Sequence, residues 1–112
     1  MGQKFYHQKL IRDRIPEIIL ENGGKYKTRI MSKNEYEKEL KKKIVEESKE
    51  LIKTPKEKLL NELADVLELV KSISSHYKIP FSTVEEYQDN KRKTHGGFKK
   101  KIFLVWSDKK AG

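Results

Sequence analysis

Two long stretches with apolar residues at helical spacing, separated by one short turn signal, predict a mainly α fold. The architecture expected is an antiparallel helical bundle with at most a small two-stranded β ribbon. In the first stretch Leu40, Ile44 and Leu51 line one face, and in the second Leu59, Val66, Leu69 and Ile73 do the same. Between them Thr54-Pro55-Lys56-Glu57 reads as a capping box with proline at the first helical position. One helix therefore stops near Lys53 and the next starts at Pro55. A connection that short makes the two helices antiparallel neighbours.

The remaining elements follow in chain order. A short helix is expected from about Asp13 to Glu21, with Pro16 in its first turn and Ile15, Ile18 and Ile19 turned inward, stopped by Asn22-Gly23-Gly24. Lys25 to Met31 alternates, with Tyr26, Thr28 and Ile30 on one side, as a strand would. Ser32-Lys33-Asn34-Glu35 is a second capping box and opens the first long helix. The second long helix runs towards Tyr77 and is broken by Ile79-Pro80-Phe81. Ser82-Thr83-Val84-Glu85 opens a last helix that ends at Gly96-Gly97. Lys101 to Trp106 has the β-rich content of a final strand, a candidate partner for Lys25 to Met31, with Trp106 read as core.

Five carboxylates fall on the two long helices, in Glu46-Glu47-Ser48-Lys49-Glu50 and in Glu62-Leu63-Ala64-Asp65. Residues three or four apart share a helix face, so Glu47 and Glu50 point together, as do Glu46 and Glu50, and Glu62 and Asp65. Glu47 occupies the vacant step in the apolar stripe of the first helix, and Glu62 the vacant step in that of the second. Counted outward from the turn at Thr54, both lie roughly 10 to 12 Å along their helices at 1.5 Å per residue. The two clusters should face each other. Like charges gathered on an apolar seam need a positive partner, and for several oxygen ligands on rigid helices that partner is Mg²⁺ or Mn²⁺. The competing reading is a set of ordinary surface pairs, Lys42 with Glu46, Lys43 with Glu47 and Glu50 with Lys53.

The pattern Glu46-Glu47-x-x-Glu50 followed by Glu62-x-x-Asp65 resembles the signature of the all-α nucleoside triphosphate pyrophosphohydrolase superfamily, which includes the MazG proteins, dimeric dUTPases and phosphoribosyl-ATP pyrophosphohydrolase. The opening Lys9-Leu10-Ile11-Arg12-Asp13-Arg14-Ile15-Pro16-Glu17-Ile18-Ile19 and the closing Lys91-x-x-x-x-Gly96-Gly97-Phe98 are similar to those of small stand-alone MazG-like proteins. The resemblance implies hydrolysis between the α and β phosphates of a nucleotide, releasing a nucleoside monophosphate and pyrophosphate. It implies Glu47, Glu50, Glu62 and Asp65 as ligands of Mg²⁺ or Mn²⁺, Glu46 as the group that orients or deprotonates the attacking water, and Lys91 and Arg92 as phosphate contacts. Lys9, Arg12 and Arg14, a basic trio before a proline helix start, either bind phosphate or brace the acidic helices. The chain departs from the family in the short gap between Glu50 and Glu62 and in carrying Asp89-Asn90-Lys91-Arg92-Lys93 where several members have an Asn-x-Lys-Phe type of motif.

At 112 residues, 35% of them hydrophobic, and with a mean hydropathy of −0.87, the chain has room for one domain with a modest core. Leu59, Leu60, Leu63, Val66, Leu67, Leu69 and Val70 cover most of one helix's circumference, so burial on several sides by a partner subunit, a homodimer, is expected. The absence of cysteine excludes disulfides and thiolate metal sites, and His7, His76 and His95 have no zinc-ligand spacing. No apolar run resembles a leader or a membrane span, so a cytoplasmic protein is expected. The net charge of +9 is concentrated in Lys91 to Lys101, where six cations occur without an acid. That run also suits a nucleic-acid-binding protein, yet no zinc-finger spacing, helix-turn-helix or aromatic platform accompanies it. A family member that binds nucleotides without cleaving them is the third alternative.

Overall fold

The computed structural model describes residues 3–111, so Met1 and Gly2 of the N-terminal stretch lie outside it. Four α-helices follow one another, α1 (Ile15–Glu21), α2 (Lys33–Lys53), α3 (Leu59–His76) and α4 (Phe81–His95), with a 3₁₀ turn (Lys56–Lys58) between α2 and α3. The chain divides into two compact units, Met1–Ile79 and Pro80–Gly112. No described helix is long and apolar enough to cross a membrane.

The frame of the first unit is the α2–α3 hairpin. Two cross-helix pairs fix its sense: Glu37 and His76 meet at the open end, and Glu47 and Glu62 meet nearer the turn, so the helices run antiparallel. Leu40 and Leu69 are the buried apolar residues of the seam, at 3% and 8% exposure, flanked by half-buried Ile44, Leu51, Val66 and Ile73. The stripe read from the sequence is thus the buried one, except that Leu59 stays exposed. At the open end His76 is 11% exposed, lies 2.9 Å from Glu37 Oε1 and has its ring edge-on to Tyr36 and Tyr77.

The helix ends explain why these segments start and stop where they do. Ser32 Oγ accepts from Glu35 N–H at 3.2 Å, as the capping box requires. The Glu35 carboxylate does not reach back, however, because it is held bidentate by Arg29 at 2.7 and 2.6 Å. The Thr54 box does not form either. Pro55 forces Thr54 into extended backbone, which ends α2, and the Thr54 hydroxyl donates to the Glu50 carbonyl at 2.6 Å. Pro55 then leads into the 3₁₀ turn, and α3 begins at Leu59.

The first helix begins at Ile15, two residues later than expected, and Ile18 is exposed where Ile15 and Ile19 are half-buried. Its stop is as expected: Gly23 takes φ +78°, and Gly24 N–H donates to the Ile19 carbonyl at 2.9 Å, so close that a Cβ on Gly24 would meet Ile19 Cγ2.

In the second unit α4 starts at Phe81 directly after Pro80, so Ser82 is inside the helix and caps nothing. The helix ends at Gly96, whose φ of +85° suits a residue without a side chain. No strand occurs among the described residues, so the ribbon that Lys25 to Met31 and Lys101 to Trp106 allowed is not formed. Alternation is only a local signal, and neither run finds a ladder partner among the described residues; Trp106, read as core, is 79% exposed.

Because so few side chains are buried, each weighs heavily. Leu40→Ala should lower unfolding stability in urea by about 2 to 5 kcal/mol, while the exposed Ile52→Ala should stay within about 0.5 kcal/mol of the parent.

Candidate metal centre

The α2–α3 hairpin carries Glu47 from one helix and Glu62 and Asp65 from the other to one place. One carboxylate oxygen from each lies within 4.8 Å of the other two, and all three residues are half-buried. The register follows from the connection: the last turns of α2 on one side, and the 3₁₀ turn with the first turn of α3 on the other, bring the vacant steps of the two apolar stripes opposite each other. None of the lysine pairs that would make these acids ordinary surface charges, Lys42 with Glu46, Lys43 with Glu47 or Lys53 with Glu50, closes to an ion pair among the described residues.

Glu62 is the most stressed of the three. Its Oε2 is shut off from solvent and has no hydrogen-bond partner. Burial pushes its carboxyl above the ordinary value, and the charges of Glu47 and Asp65, a hydrogen bond with Glu47, and the charge of Glu50 push the same way. A buried oxygen without a donor is costly, and a cation answers both the missing partner and the repulsion. Three hard carboxylate oxygens with no imidazole or thiolate beside them fit Mg²⁺ or Mn²⁺ better than zinc. A bound cation would favour the ionised form of Glu62, opposing the upward shift.

The other residues singled out from the sequence are placed as follows. Glu50 is exposed and outside the three-acid group, though near enough for its charge to act on Glu62. Glu46 is exposed on α2, next to Glu47 in the chain and outside the group. Arg12 lies against the cluster, its Nη2 donating to Asp65 Oδ1 at 2.7 Å. Lys9 is exposed at a bend in the same N-terminal segment and makes no ion pair among the described residues. Lys91 and Arg92 belong to α4 in the second unit, where Arg92 Nη2 reaches Asp89 Oδ1 at 2.9 Å and Lys91 is exposed.

Two features escaped the sequence reading. Asn61, one turn before Asp65, points Nδ2 towards its Oδ2 at 3.5 Å, a spacing of four that was legible on the helix. The Glu37–His76 bridge joins residues far apart in sequence, and His76 donating to Glu37 holds that carboxyl below its usual range. Compared with protein-family models, with curated proteins and with solved structures, the chain finds no match.

The upward shift of Glu62 sets a direction for stability against pH. A carboxyl whose folded pKa lies above its unfolded value near 4.5 binds more protons folded than unfolded, so metal-free stability falls as pH rises from that value through the folded one. In metal-free buffer Glu62→Gln should therefore raise Tm above pH 6 and flatten this pH dependence. A variant that melts lower than the parent at every pH would mean that Glu62 is not under charge stress.

Proposed function

We propose that this chain is a nucleoside triphosphate pyrophosphohydrolase dependent on Mg²⁺ or Mn²⁺, cleaving between the α and β phosphates to leave a nucleoside monophosphate and pyrophosphate in nucleotide-pool house-cleaning. The observation that carries the reading is the convergence of Glu47, Glu62 and Asp65 from two helices, with a buried Glu62 oxygen lacking any partner. The resemblance of the Glu46-Glu47-x-x-Glu50 and Glu62-x-x-Asp65 pattern supplies the reaction class.

Glu47, Glu62 and Asp65 would hold the cation, with Glu50 at the edge of the pocket. The bound ion would offset phosphate charge and lower the pKa of a coordinated water towards neutrality. The chain's own residues do the rest. Glu46, exposed and next to Glu47 in α2, is assigned to orient the attacking water and accept its proton. Arg12 fixes Asp65 through one N–H and keeps further donors of its planar fork for a phosphate oxygen. Lys9, in the same segment, is assigned to the phosphates as well. Water adds to the α phosphorus and pyrophosphate leaves with the bond electrons.

A pyrophosphate-release screen over canonical, deoxy, damaged and phosphoribosyl nucleotides, with Mg²⁺ or Mn²⁺, tests the reading. Turnover should vanish with chelator, and Asp65→Asn should lower it more than about 100-fold, beyond the range typical of losing an outer-shell partner. Nucleotide binding without pyrophosphate release would replace the enzyme by a binding protein. Salt-sensitive retention of DNA with no nucleotide turnover would favour the nucleic-acid reading of the basic run.

A further inference from the structure

Given the reading of Asp65 as a cation ligand beside the phosphates, we propose that a cleft at the open end of the α2–α3 hairpin takes the ribonucleoside end of the substrate. Glu68 receives the sugar hydroxyls, and Tyr36, Ser72, Ser75 and His76 hold the base. The cleft has a volume of about 420 Å³, within the range of small-molecule sites, and is lined by Tyr36, Glu68, Lys71, Ser72, Ser75 and His76, all of the first unit.

Its place follows from helix geometry. Ser72 and His76 follow Asp65 by seven and eleven residues, close to two and three full turns, so the three share one row of α3, and Glu68 lies about one turn beyond Asp65 beside that row. At about 1.5 Å per residue, Glu68 stands roughly 4.5 Å, Ser72 roughly 10 Å and His76 roughly 16 Å along the axis from Asp65. An extended nucleotide leaves its α phosphate in the same order, sugar first and base beyond. The row runs away from the Thr54 turn, so the nucleoside and the three acids do not compete for one space.

The lining suits the two halves of a nucleoside. Tyr36 and Ser72 are half-buried and form the floor with His76, while Glu68, Lys71 and Ser75 stand exposed at the rim. The aromatic wall is held in advance: His76 Nε2 meets Glu37 Oε1 at 2.9 Å, and its ring is edge-on to Tyr36 and to Tyr77, with centroids 5.1 Å apart in each pair. An aromatic wall accepts a planar base of any identity, and the two serine hydroxyls, each donor and acceptor, meet its polar edges. An ionised carboxylate only accepts, which matches vicinal sugar hydroxyls, as the acidic residue of dinucleotide sites matches ribose. A deoxyribose offers Glu68 one donor fewer.

Steady-state kinetics in Mg²⁺ with ATP, GTP, CTP and UTP and their 2′-deoxy forms should show the ribo form preferred about tenfold in kcat/KM, the factor of one hydrogen bond to a charged group, and Glu68→Ala should erase the preference. Ser72→Leu should raise KM about tenfold or more with kcat little changed, the mark of lost uniform binding, and Ser75→Leu at the exposed rim should do the same if leucine at the half-buried position prevents folding. Turnover with parental KM in the folded leucine variants, or with equal use of ribo and deoxy forms, would overturn the cleft while leaving the metal-dependent hydrolysis in place. If no nucleotide is turned over, adenosine, guanosine, cytidine and uridine decide the matter in excess chelator. At least one should shift the ¹⁵N amide signals of Ser72, Ser75 and His76, which would keep the cleft as a nucleoside site without the hydrolysis. No shift there with any of the four would overturn it.

Discussion

Carboxylate repulsion on an apolar seam is the constraint around which the first unit is organised. Glu47, Glu62 and Asp65 stand where the stripes of α2 and α3 call for apolar side chains, and their oxygens come within 4.8 Å of one another. Without a counter-charge this lowers stability, as the upward shift of Glu62 registers. Among the described residues the ion pair that reaches the cluster is that of the Arg12 guanidinium with Asp65, from a segment far away in sequence. The arrangement is one that a divalent ion could complete.

The rest of the unit keeps those groups in register. Pro55 and the Thr54 hydroxyl end α2 sharply, which sets the length of each arm, and the Glu37–His76 contact with its two tyrosine rings closes the far end of the hairpin. Leu40 and Leu69 supply the apolar contact between these two polar ends. Rigid helices rather than loops therefore carry all three acids, the condition under which several oxygen ligands can be held at fixed spacing.

Much of this was legible in the residues. Leucines at helical spacing located α2 and α3, and the gaps in their stripes singled out Glu47 and Glu62, because a missing apolar residue on a seam is a strong local signal. What failed to read through depended on partners. The Thr54 hydroxyl had orphan groups of two helices to choose from, and the proline decided the choice by ending α2. The alternation of Lys25 to Met31 says that a strand is allowed, not that another strand pairs with it. The contacts of Arg12 with Asp65 and of His76 with Glu37 span 53 and 39 residues, separations over which no spacing rule operates. Membership of Glu50 and Glu46 in the pocket turned on a finer matter, the angular offset of each position from the seam, and both are exposed.

The most direct measurement of the central claim is the location of a bound paramagnetic ion. ¹⁵N-labelled protein titrated with substoichiometric Mn²⁺ should lose amide signals first around Glu47, Glu62 and Asp65 together, from both helices at once, with recovery on adding chelator or excess Mg²⁺. Broadening that starts instead at exposed acids such as Glu57, Glu85 or Glu86, or that spreads evenly over the surface, would contradict the account.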